Sequence, residues 1–82
     1  MTTDRVREVI AGHARLAVEV SALADTDDLY RAGMTSHASV NLMIALEDEF
    51  EVTFPDAMLR RETFGSVAAI SEAVAELAAS NV

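Results

Sequence analysis

The chain has 82 residues, 14 acidic against six basic, and a formal charge of −8. That length allows one core, which buries only about 60–65% of the surface the unfolded chain exposes, and leaves no room for a deep substrate cavity. The acidity disfavours nucleic acid and anionic membranes and suits a protein partner with a basic surface, besides keeping an apolar-rich chain soluble.

There is no cysteine, so thiolate catalysis, thiolate metal sites and disulfides are excluded, and any thiol must be supplied from outside. The N-terminal residues carry interspersed charges, and no run approaches the ~20 apolar residues of a membrane span. The sequence therefore predicts a single cytoplasmic domain over residues 1–82, a monomer, with neither nucleic acid nor membrane as partner.

A first helix starts near Thr3, a capping residue, with Asp4 in its first turn. Val6, Val9, Ile10, His13 and Ala17 share one stripe, with Leu16 beside it, which makes His13 a core-edge histidine. Gly12 weakens this helix by about 1 kcal/mol relative to alanine. From 18 to 35 no period persists; Val20, Leu23 and Leu29 anchor a long loop, with one short helical turn near 26–30. Asp25, Asp27 and Asp28 fail the calcium-loop template, which asks for Asp or Asn at Leu29 and Gly at Tyr30, so they form a turn and a solvated face, not a metal site.

A second helix runs from Ser36 to Phe50 or Glu51, approached through Gly33 and with serine as a favoured cap. Residues 52–55 are extended, and Pro55 opens a short helix from Asp56 to about Arg60. Ser66 caps the last helix, where Val67, Ile70, Val74 and Leu77 form the apolar stripe. Three main helices and one short one, with no strand, define an all-α four-helix bundle with a long first loop.

The second helix has two apolar faces. Ser39, Leu42, Leu46 and Phe50 fall within one arc, with Met43 and Ala45 at its edges, and this arc is core. Val40 and Ile44 lie on the opposite side, one turn apart, flanked by His37, Glu47, Asp48 and Glu51. Acids toward a helix C-terminus oppose its dipole, which points to a contact patch for basic partners, although isolated surface valines and isoleucines are also ordinary.

Ser36 is the leading candidate for chemistry. Adjacent helical residues point about 100° apart, so His37 is badly placed to take the Ser36 proton, and no nucleophile elbow is present. No catalytic residue is assigned, and the chain is not read as an enzyme. A phosphodiester on Ser36 is favourable physically, because the free amides and the dipole at a helix start stabilise an anion. The alternative is that Ser36 only caps the helix.

The stretch Gly33-Met-Thr-Ser36-His-Ala-Ser-Val40-Asn-Leu42-Met-Ile-Ala-Leu46-Glu-Asp-Glu-Phe50, followed by Val52-Thr-Phe-Pro55 and Phe64-Gly-Ser66-Val67, resembles the acyl carrier protein family. The likeness is strong over 29–54 and loose over the whole chain. It implies an acyl-carrier-like bundle whose Ser36 receives 4'-phosphopantetheine from coenzyme A through a phosphopantetheinyl transferase. The thiol of that group would hold acyl or aminoacyl cargo as a thioester. His37, Val40, Asn41, Ile44, Glu47 and Asp48 would face partner enzymes, a loading ligase and a downstream transferase among them. Thr35, His37 and Asn41 depart from the family's usual acid, leucine and acid, so the pattern is less like the housekeeping fatty-acid carrier. It is similar to stand-alone carriers loaded by amino acid:carrier-protein ligases. The competing reading is an unmodified helical interaction module that uses the Val40/Ile44 patch.

Overall fold

The computed structural model describes residues 2–80. Its order is α1 (Thr2–His13), the 3₁₀ helix η1 (Val20–Ala22), α2 (Ser36–Phe50), η2 (Asp56–Met58), η3 (Arg61–Phe64) and α3 (Val67–Ser80). No strand occurs among the described residues. The architecture is the expected all-α bundle, with the short fourth helix divided into the two 3₁₀ turns η2 and η3.

α1 is already formed at Thr2, so Thr3 lies inside it and does not cap it. Val6, Val9 and Ile10 are buried, and so is Ala14, whose N–H donates to the Ile10 carbonyl at 2.9 Å. Arg15 then adopts a left-handed backbone, φ 52°, and turns the chain away. Ala17 lies beyond that reversal and leaves the stripe, while His13 is the last residue of α1. Both are exposed, which corrects the core-edge reading of His13: it sits at the very end of α1, where no further helical turn covers it.

The segment from 14 to 35 is a loop held by bonds to residues distant in sequence. Arg7 donates to the carbonyls of Val20 and Leu23, both at 2.9 Å, and to Asp25 Oδ1 at 2.6 Å. Leu29 is fully buried, and its N–H donates to the Gly65 carbonyl at 2.7 Å. The 3₁₀ turn lies at Val20–Ala22, near the Arg7 contacts, while the expected helical turn near 26–30 is replaced by hydrogen-bonded turns. Asp27 Oδ2 accepts from Ala24 N–H and Asp28 Oδ1 from Tyr30 N–H, so these two acids hold the turns.

α2 buries Ala38, Leu42 and Leu46. Ser39 and Phe50, expected in the core arc, are only half-buried, and Ala38 takes the inward place at the start of the helix. Glu51 ends α2 in a left-handed conformation, with its N–H on the Glu47 carbonyl. η2 stops at Met58 and η3 follows, bringing Phe64 against Phe54 with ring centroids 5.2 Å apart. Ser66 caps α3 as expected, its Oγ accepting the Ala69 N–H at 3.1 Å, and Val67, Ile70, Ala73 and Val74 are buried. α1 packs closely against both α2 and α3, whereas α2 and α3 meet more slightly. The η2–η3 segment lies on that looser side, and a groove opens between it and α2.

Candidate functional site

Ser36 is the first residue of α2, and it does not cap the helix. The cap is Thr35, in extended conformation (φ −85°, ψ 166°), whose Oγ1 accepts the Ala38 N–H at 3.0 Å. Ser36 is exposed, and its hydroxyl makes no hydrogen bond among the described residues; only its carbonyl is used, accepting from Ser39 Oγ at 2.7 Å. The N–H groups of Ser36 and His37 belong to the first turn, which has no intrahelical acceptors. A free hydroxyl thus stands where an anion is favoured.

His37, Val40, Asn41, Ile44 and Asp48 form one exposed stripe along α2. Val40 and Ile44 are 51% and 55% exposed, so the second apolar face is turned to solvent. Glu47 departs from the expected rim. It is half-buried, and its Oε2 accepts the Phe54 N–H at 2.9 Å, so its position near the helix C-terminus is explained by a bond within the chain. The exposed acids beside the apolar pair are Asp48 and Glu51.

On the other side of Ser36, the groove of about 320 Å³ is lined by Tyr30, Ser39, Val40 and Met43 and by residues of η2–η3, including the exposed Leu59. Sequence reasoning did not assign this wall; two adjacent arginines in a chain with only six basic residues were the available signal. A second groove, between the end of α1 and α2, places His13 and Arg15 beside Asn41, Ile44 and Asp48. No cluster of three or more potential metal ligands occurs among the described residues. Among the described residues, no helix is long and apolar enough to cross a membrane.

The helical bundle thus presents a free serine hydroxyl at the head of α2. The family model described as phosphopantetheine attachment site matches residues 4–74, and the chain belongs to this family of phosphopantetheine-binding carrier proteins. The group it carries is covalently attached 4'-phosphopantetheine. The chemistry fits the residues present, since attachment needs a reachable hydroxyl that the fold does not otherwise use.

The chain is 44% identical to the aminoacyl carrier protein of Agrobacterium fabrum over 69 residues, 84% of this chain and 83% of that protein. It superposes with a TM-score of 0.89 and 39% identity on a chain from the crystal structure of an engineered Bradyrhizobium japonicum glycine:carrier protein ligase complexed with a carrier protein from Agrobacterium tumefaciens and ATP, covering 93% of this chain and 99% of that one. A chain from the Bradyrhizobium japonicum glycine:carrier protein ligase complexed with glycylated carrier protein matches with a TM-score of 0.75 and 26% identity, over 88% of this chain and 96% of that one.

Proposed function

We propose that this protein is a non-catalytic aminoacyl carrier of the cytoplasm, with 4'-phosphopantetheine on Ser36 and an amino acid held as a thioester on its thiol. The observation that carries the reading is the division of labour at the head of α2: Thr35 caps the helix, and the Ser36 hydroxyl stays free. Ser36 Oγ attacks the pantetheine-bearing phosphorus of the coenzyme A pyrophosphate, the P–O bond to the departing adenosine 3',5'-bisphosphate breaks, and the serine proton passes to a base on the transferase. When bound, the group supplies the thiol that a cysteine-free chain lacks.

The likeness to an aminoacyl carrier and to a carrier crystallised with a glycine:carrier protein ligase supports amino-acid cargo and a ligase partner of that class. His37, Val40, Asn41, Ile44 and Asp48 form the docking stripe. Val40 and Ile44 supply apolar area, and Asp48 supplies charge. Glu47 supports the stripe indirectly by tying α2 to the Phe54 backbone. A downstream transferase would then take the aminoacyl group.

Intact mass after incubation with coenzyme A and a broad-specificity phosphopantetheinyl transferase tests the attachment. One added phosphopantetheine is expected, and none in Ser36→Ala. No gain with several transferases would reject the carrier reading and leave an unmodified interaction module built on the Val40/Ile44 patch.

A further inference from the structure

The groove beside Ser36 contains charge that its helical walls do not account for. Two of the six basic residues of the chain, Arg60 and Arg61, line it together with Ser36, and none of the 14 acidic residues does. Of the other four arginines, Arg5 pairs with Glu49 and Arg7 with Asp25, while Arg15 and Arg31 lie outside this groove and have no carboxylate within ion-pair distance among the described residues. Arg60 and Arg61 have none within ion-pair distance among the described residues.

Both are nevertheless held in place. Arg60 donates Nε to the Ala57 carbonyl at 2.9 Å, which fixes the side chain and leaves its terminal nitrogens available. The Arg61 guanidinium carbon lies 3.9 Å from the centre of the Tyr30 ring, a stacking that orients a guanidinium without neutralising it. Adjacent like charges without a counter-ion repel, and planar guanidinium groups match phosphate oxygens well.

We propose that Arg60 and Arg61 bind the phosphodiester anion of the prosthetic group on Ser36 and so fix the root of the arm in this groove. The proposal rests on attachment at Ser36. The phosphodiester is the charged part of the group, and its bond to Ser36 keeps it at the groove that the two arginines line. Val40, Met43 and Leu59 give the uncharged part of the arm an apolar wall, and the thiol end remains free to reach partners. Arg60 and Arg61 are positioning residues in this arrangement; they touch no reacting atom.

The test compares ¹⁵N-labelled apo and holo protein by NMR at the arginine Nε–H resonances, with intact mass establishing one phosphopantetheine per chain. Attachment is expected to move the Arg60 and Arg61 resonances and leave that of Arg31, in the long loop, in place. It should also raise Tm by about 2–4 °C, a gain lost in the Arg60→Gln/Arg61→Gln double variant. Full attachment with unmoved Arg60 and Arg61 resonances, or with an equal Tm gain in both proteins, overturns the proposal and leaves the Ser36 assignment standing. No added mass overturns both.

Discussion

At Ser36 the use of the side chain is decided by its neighbour. Thr35 Oγ1 occupies the capping position on the Ala38 N–H, so the serine hydroxyl contributes nothing visible to the helix start. Thr35→Ala should therefore lower the unfolding free energy by about 1 kcal/mol, while Ser36→Ala stays within about 0.5 kcal/mol of the parent. Urea denaturation of the two variants checks this; an equal or larger loss for Ser36→Ala would restore the serine as the cap. Gly33 makes a related point. Its φ of +115° and the 2.9 Å that would separate an added Cβ from the Ala17 backbone nitrogen exclude other residues without rearrangement. The sequence marked this glycine as a flexible approach to α2, and the fold uses it for a close backbone crossing, where Ala17 N–H meets the Ala32 carbonyl at 2.9 Å.

α2 is the element in which stability and the proposed recognition share one length of sequence. Leu42 and Leu46 are fully buried, while Val40 and Ile44 are about half exposed on other sides of the same turns. Ile44→Arg is expected to leave far-ultraviolet circular dichroism and Tm nearly unchanged and to slow aminoacylation by the cognate ligase at least about tenfold, since a charge placed in an apolar contact commonly costs more than 1.4 kcal/mol. Loading at the parental rate would remove Ile44 from the docking stripe. Glu47 shows why a helical wheel alone is insufficient here. The wheel puts it beside Val40, but the chain beyond α2 folds back and gives its carboxylate the Phe54 N–H. The wheel records angle about an axis and carries no information about what returns to that face.

Across the whole molecule, the long loop is tied to α1 mainly through one side chain. Arg7 is only 24% exposed and reaches two backbone carbonyls and Asp25. Arg7→Ala should destabilise the fold by about 1–3 kcal/mol, because two part-buried carbonyls lose a charged donor. Amide exchange at Ala22 and Leu23, whose N–H groups bond to Glu19 and Val20 carbonyls, should accelerate more than exchange in α2. Uniform acceleration across the chain would mean that Arg7 supports global stability without specifically fastening the loop.

Helix existence and the buried stripe of α3 were legible in the sequence because residues three and four apart on a helix share a face whatever lies elsewhere in the chain. Ser36 stood out as the candidate site for the same local reason: a serine after a glycine-containing loop, at the head of a two-faced helix. The capping role of Thr35 was equally local, but intrinsic preference places serine ahead of threonine at a cap and so pointed to the wrong one of two adjacent candidates. The fate of His13, the bond of Glu47 and the path of the 14–35 segment depended on the tertiary structure. Leu29 is fixed by Gly65, Asp25 by Arg7 and Ala68, and the Ser36 groove by Tyr30 against Arg61. Those partners lie far apart along the chain, and only closure of the bundle brings them within hydrogen-bonding or stacking distance.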